Sequence, residues 1–116
     1  MPHSERTLKA FRALRRLRQF RDFERAQLGL TSYDERDLIC EIGHSVARGR
    51  PLTMKQAFLL GIGSVATTQR RIRRLARLGL ITQRRSPRDR RILELRLTPK
   101  LVGALARWDE ILATEN

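Results

Sequence analysis

Between Ser64 and Gly79 the chain carries five arginines and no acid, in the run SVATTQRRIRRLARLG. Arginine presents a planar fork of donors that stays charged at physiological pH, and the fork matches phosphate or carboxylate oxygens. A helix that needs only a wet face mixes signs, because interspersed charges support one another at i,i+4. This run is therefore read as made to meet a polyanion. A second basic cluster follows in Arg84, Arg85, Arg88, Arg90 and Arg91, with Asp89 as a lone acid among them. From Ser64 to Lys100 there are 12 basic and 2 acidic residues, so this third of the chain holds +10 of the net +13. Such a surplus favours nucleic acid, an acidic membrane surface or an acidic protein as partner.

Other chemistry is poorly provided for. The neighbouring acids Asp34/Glu35 and Asp109/Glu110 read as helix-surface and capping charges, since no apolar or cationic neighbour is expected to separate their pKa values. His3 and His44 are too few and too far apart for a metal site, and the single Cys40 cannot form an internal disulfide. With Ile39 and Ile42 beside it, Cys40 reads as a buried, inert thiol. Gly61-x-Gly63 follows a predicted helix, not a strand, so it is no dinucleotide fingerprint, and no Gly-Lys-Ser/Thr phosphate loop occurs. No enzyme, cofactor or metal is expected. No apolar run approaches the ~20 residues of a membrane span, and MPHSERTLKAFR lacks the apolar core of a secretory signal. A soluble cytoplasmic protein with no membrane partner is the expectation.

The elements that position the arginines can be read from periodicity and punctuation. Residues 4–28 predict one long helix, with Ala10, Ala13, Leu14, Leu17 and Phe20 as a stripe and Leu8, Phe11 and Phe23 widening it. At 1.5 Å per residue such a rod is ~37 Å long, more than a domain of 116 residues covers alone, so part of it is expected to pack on a second copy. Its eight basic and three acidic residues read as a solvated outer face. Ser32-x-x-Glu35 and Thr53-x-x-Gln56 have the form of capping boxes. They open helices to about Ala47, with Leu38, Ile39, Ile42 and Val46 inward, and over Met54 to Leu60. Gly61-Ile62-Gly63 makes a tight turn. The basic helix then runs from Val65 to Leu78 with Ser64 as N-cap, Ile72, Leu75 and Leu78 buried, Ala66 and Ala76 beside them, and Gly79 as its stop. Leu80–Arg85 and Ile92–Leu97 predict two strands, the second alternating buried leucines with a wet Glu94 and Arg96. Thr98-Pro99 restarts a helix with Leu101, Leu105, Trp108, Ile111 and Leu112 as its stripe.

A short helix, a glycine turn, a second helix and a hairpin form a helix-turn-helix with a wing, whose second helix enters the major groove. Val65, Thr67, Thr68, Gln69, Arg70 and Arg71 would face base edges, with Gln suited to adenine and Arg to guanine. Arg74 and Arg77 lie further along and would meet phosphates, which set affinity more than sequence choice. Arg84, Arg85, Arg88, Arg90 and Arg91 would place positive charge at a narrow minor groove, with Asp89 holding a neighbouring arginine in its rotamer.

The order Ser64-Val-Ala-Thr-Thr-Gln-Arg70, Leu75, Gly79-Leu-Ile, Pro87-x-Asp89-x-Arg91 and Leu95-x-Leu97-Thr98-Pro99 resembles the MarR-type winged helix-turn-helix transcription regulators. The resemblance covers Leu52 to Lys100 closely and the flanking helices in outline. It implies a mainly α fold with a small β-hairpin wing: an N-terminal dimerisation helix over 1–30, the DNA-binding unit over 31–98 and a C-terminal dimerisation helix over 99–116. It implies Arg91 as the minor-groove arginine, Asp89 as its orienting partner, and Arg70 as a recognition-helix arginine. It further implies a homodimer on a pseudo-palindromic operator, most simply a repressor, joined by Leu8, Phe11, Leu14, Leu17, Phe20, Leu105, Trp108 and Leu112. Family members are often released from DNA by small phenolic ligands or oxidised cysteines; the residues here leave room for an effector but indicate none. The chain departs from the pattern in its 17 residues after Pro99, its glycine-rich turn and its basic first helix.

Two other functions fit the same charge. One is an architectural or replication-associated protein that binds duplex DNA with little sequence preference. The other is a winged-helix module that docks on an acidic protein partner.

Overall fold

The computed structural model describes residues 4–113; His3, one half of the weighed histidine pair, lies outside them. In chain order the elements are α1 (Glu5–Phe23), a π turn (Glu24–Leu28), α2 (Tyr33–Ala47), α3 (Met54–Phe58), α4 (Val65–Arg77), β1 (Ile81–Arg85), β2 (Leu93–Leu97) and α5 (Pro99–Ala113). The architecture is a winged helix-turn-helix, mainly α with one antiparallel hairpin.

Its core is built where three helices and the hairpin meet. Leu38 and Ile42 from α2, Ile72 and Leu75 from α4, Leu80, Ile81 and Leu95 from the hairpin and Leu101 from α5 are fully buried. Each such side chain contributes ~1.5–3 kcal/mol on leaving water, so this cluster fixes α4 against α2 and the hairpin. The hairpin pairs Ile81 with Leu97 and Arg85 with Leu93. Leu52 extends it, its carbonyl accepting from the Leu95 N–H at 2.8 Å while Thr53 bridges Glu94. Glu94 and Arg96 were expected on a wet face; both are half-buried and pair with each other at 3.1 Å.

The caps work as the side-chain chemistry dictates, with one exception. Thr53 and Gln56 form a complete capping box, each side chain accepting from the other's backbone N–H. At α2 only half of the box forms. Ser32 Oγ accepts from the Glu35 N–H at 3.3 Å, but the Glu35 carboxylate turns to Thr31 and Arg74 instead of the Ser32 backbone. The α3 helix stops at Phe58, short of Leu60, and Gly61 and Gly63 both take positive φ to swing the chain into α4. Thr98 joins the end of α4 to α5: its hydroxyl donates to the Gly79 carbonyl at 2.6 Å and accepts from the Leu101 N–H at 3.2 Å.

The single helix expected over residues 4–28 is interrupted. From Glu24 to Leu28 it widens to a π turn, and the Gly29 and Leu30 N–H groups both return to the Glu24 carbonyl. The wider turn brings Glu24 and Leu28 to the buried side. By contrast α1 buries no residue and projects from the core, giving the molecule its 64 × 28 × 25 Å extents. What packs α1 to the rest is aromatic. Phe20 stacks on Trp108 with centroids 5.6 Å apart, and Phe23 meets the same ring edge-on at 6.3 Å. Trp108 is 8% exposed. Phe20 and Trp108 are therefore contacts within one chain, a correction to their assignment to a surface between copies. Leu8, Phe11, Leu14, Leu17, Leu105 and Leu112 remain exposed.

Candidate nucleic-acid interface

The α4 helix has three sides. Thr68, Ile72 and Leu75 face inward; Gln69, Arg71, Arg74 and Ala76 are half-buried at the flanks; Ala66, Arg70, Arg73 and Arg77 face out. The spacing 66, 70, 73, 77 is one helical stripe lying opposite Ile72, so three arginines point from one face into solvent. Arg73 had not been assigned to the site, and Ala66 had been placed on the buried side. The phase set by Ile72 and Leu75 was the signal that would have found both.

Thr68 cannot reach a base. It is 1% exposed and its hydroxyl donates to the Ile62 carbonyl at 3.3 Å, tying α4 to the glycine turn. Ser64 and Thr67 are occupied in the cap: Ser64 Oγ accepts from the Thr67 N–H and donates to the Thr67 hydroxyl, which accepts in turn from Arg70 at 3.2 Å. The Arg70 guanidinium is thus held over the first turn of α4.

Arg74 has an intramolecular role. Its guanidinium pairs with the Glu35 carboxylate and donates to the Gly29 carbonyl at 2.6 Å. The Glu35 side chain is 3% exposed, and a buried carboxylate without a counter-charge costs ~3–5 kcal/mol. Arg74 therefore ties α4 to the α1–α2 joint, a structural role in addition to the phosphate contact expected of it. The finding also corrects the reading of Asp34 and Glu35 as surface charges with no cation beside them. Arg71 is different. It donates to Ser32 Oγ at 2.9 Å and pairs with the half-exposed Asp34 at 3.3 Å. A pair that open to water contributes ~0–1 kcal/mol and can exchange for a phosphate. At the end of the π turn, Gly29 carries φ +74, and a β-carbon there would come within 3.1 Å of Leu78. The left-handed φ is what favours glycine here, and a β-carbon would also have to push the Leu78 side chain aside.

The hairpin tip is built by short-range hydrogen bonds. Ser86 N–H donates to the Ile92 carbonyl, Ile92 N–H to the Asp89 carbonyl, and Arg88 N–H to Ser86 Oγ. Asp89 accepts the Arg91 N–H at 3.0 Å and receives the Arg91 guanidinium as a fork, Nε to Oδ1 and Nη2 to Oδ2, both at 3.1 Å. Arg91 is thereby pre-set in one rotamer while fully open to solvent. Arg85 donates to the Arg90 carbonyl at 3.2 Å, Arg84 stands opposite Glu94, and Arg88 and Arg90 are exposed.

The fork holds the Asp89 carboxyl below the usual carboxylate range and the Arg91 guanidinium above its own, the side-chain hydrogen bond being the main cause in each. A depressed folded pKa means that the order it supplies is complete above the unfolded value of ~3.9 and is lost as pH falls through the folded value. The wing geometry is expected to be constant across neutral pH. In a carbon-detected NMR titration the Asp89 carboxyl should titrate below the ordinary carboxylate range, and Arg91→Gln should return it to that range.

Elsewhere, Cys40 is exposed on α2, not buried as its neighbours suggested, because Ile39 and Ile42 take the inward positions and leave it outside. Among the described residues no group of three His, Cys, Asp or Glu side chains could hold a metal ion, and no helix is long and apolar enough to cross a membrane.

No protein-family model matches the chain, and no curated protein matches its sequence. Solved structures do match. Reduced AbfR bound to DNA is 20% identical, with a TM-score of 0.61 over 92% of this chain and 75% of that one. MarR is 22% identical, with a TM-score of 0.55 over 90% of this chain and 80% of its own. A probable transcriptional regulator from Pseudomonas aeruginosa is 22% identical, with a TM-score of 0.55 over 88% of this chain and 77% of its own. The fold is thus that of MarR-like winged helix-turn-helix proteins.

Proposed function

We propose that this protein is a transcription regulator that binds duplex DNA in a sequence-specific manner, with α4 in the major groove and the wing in the minor groove. The observation that carries the reading is the Asp89–Arg91 fork: an arginine locked at a hairpin tip, with no function inside the fold, is prepared for a target outside it. The outward arginines of α4 and the likeness to a DNA-bound structure support the same conclusion. Within α4, Gln69 and Arg70 read bases, with Val65 and Ala66 beside them, while Arg71, Arg73 and Arg77 meet phosphates. Arg84, Arg85, Arg88, Arg90 and Arg91 line the minor groove. The protein acts in the cytoplasm on the bacterial chromosome, as a repressor, and not as an enzyme.

The reading includes a homodimer. Phe11 is 61% and Leu14 56% exposed on a helix that buries nothing in its own chain, and Leu8, Leu17, Leu105 and Leu112 add to that apolar surface. Covering such side chains stabilises by ~25 cal/mol per Å2. Phe11→Glu with Leu14→Glu should give a folded monomer; a dimer persisting in analytical ultracentrifugation would move the interface elsewhere.

Selection of bound sites from random duplex DNA tests the whole reading. A pseudo-palindrome should emerge, preferred over random duplex by ~10³ or more. Recovery of no motif despite tight, salt-sensitive binding would make the protein architectural. Absence of saturable duplex binding at physiological salt would make it a docking module for an acidic protein.

A further inference from the structure

One seam of α1 changes character along its length. Positions 11, 14, 18, 21 and 25 follow one another at three- and four-residue spacing and read Phe, Leu, Arg, Arg, Arg. The apolar half lies at the free end of the helix, and the arginine half runs into the π turn beside α4. Arg21 is anchored at that junction by donating to the Tyr33 hydroxyl at 2.8 Å. It lines a cleft with Arg25, Thr31 and Ser32, and Thr31 also borders the cleft of Arg70, Arg71 and Arg77. The basic surface of α4 therefore continues over the α1–α2 joint and along α1.

Three of the acids at this joint are already occupied, and a fourth, Asp22, borders a separate cleft with Gln19 and Phe23. Glu24 is held by Arg36 through hydrogen bonds of 2.7 to 2.9 Å, Asp34 by Arg71, and Glu35 by Arg74. Arg18, Arg21, Arg25, Arg70, Arg73 and Arg77 have no carboxylate partner among the described residues. A second copy, itself of net charge +13, is poorly suited to cover the arginine half of the seam. A polyanion is well suited to it.

We infer that Arg18, Arg21 and Arg25 form a backbone-gripping track that binds the phosphates of duplex DNA flanking the site read by α4. This rests on the DNA-binding reading above and adds a third contact surface to it. The three positions span ~10 Å of helix at 1.5 Å per residue, enough to follow several phosphates of one duplex.

The test uses the full chain and its selected site, placed in duplexes of about 20 and about 40 base pairs, where two half-sites a helical turn apart fill only the shorter one. The unmodified protein should bind the longer duplex about tenfold more tightly at low salt, a gain that shrinks as salt rises. The triple variant R18Q/R21Q/R25Q should lose that gain and about 2–3 from the slope of log K against log salt, at 0.9 per phosphate. Its base preference should be unchanged. R18K/R21K/R25K, which keeps the charge, should retain the gain and guards against a folding artefact. A normal site preference with an undiminished flank gain in the Gln variant overturns the track alone. Loss of retention on immobilised polyglutamate with duplex binding intact would also overturn it, giving the surface to an acidic protein. Absence of duplex binding by the unmodified chain removes the underlying reading as well.

Discussion

Arg74→Ala is expected to destabilise the fold by about 3 kcal/mol or more, lowering the thermal midpoint by roughly 10 °C or more. The loss does not measure the strength of one ion pair. Removing the guanidinium leaves the Glu35 carboxylate buried, with Thr31 alone among the described residues to donate to it through its N–H at 3.3 Å and its hydroxyl at 2.7 Å, and it takes from the Gly29 carbonyl the Arg74 donor. Replacing both partners with apolar groups of similar volume avoids that cost, so Glu35→Leu with Arg74→Met should recover most of the stability. Arg77→Ala, one turn along and facing solvent, should stay within about 0.5 kcal/mol of the unmodified protein. Denaturant unfolding of the four proteins checks the series. An Arg74→Ala variant as stable as Arg77→Ala would show that Glu35 needs no counter-charge and would remove the structural role of Arg74.

Arg91→Ala and Arg70→Ala should fail in different ways on DNA. Arg91 is held at the wing by Asp89 and is otherwise open to solvent, so its loss should weaken binding to every sequence about tenfold and flatten the preference for A·T-rich flanks, where the minor groove is narrow and most negative. Asp89→Asn should give part of the same effect, because a neutral amide no longer sets the guanidinium. Arg70 stands over the first turn of α4, and its removal should relax the choice of base at particular positions by about 1–3 kcal/mol. Competition binding against a panel of single-base variants separates the two. Even losses over the whole panel for Arg70→Ala would mean that α4 grips the backbone without reading it, and an unchanged flank preference for Arg91→Ala would remove the wing from the minor groove.

The local chemistry of the chain was legible in its letters. The N-caps at Ser32, Thr53, Ser64 and Thr98 and the inward positions of Ile72 and Leu75 depend on spacings within one element or turn, while the Asp89–Arg91 pair follows from the family resemblance of Pro87-x-Asp89-x-Arg91. The misplacements have a shared cause: they depend on residues far apart in the chain. Arg74 looked solvated because Glu35 lies 39 positions earlier, and burial of that carboxylate follows from how α2 packs on α4. Trp108 and Phe20 looked available to a second copy because their stacking needs α5 to return onto α1. Cys40 looked buried from its apolar neighbours, although helical phase sends adjacent residues to different sides. The π turn left no pattern in hydrophobic spacing and emerges only where Arg36 and the α2 packing capture Glu24.

That turn fixes the phase of the whole projecting helix. A regular α-helix advances about 100° per residue, so one residue more or fewer between Glu24 and Gly29 rotates everything before it by over a quarter turn. With the extra residue absorbed in the wide turn, the Phe11–Leu14–Arg18–Arg21 seam faces as it does; with that residue removed, the same nineteen-residue arm would turn that seam sideways, away from partner and duplex alike. The direction in which this molecule offers its longest surface is thus set by a single position in its backbone.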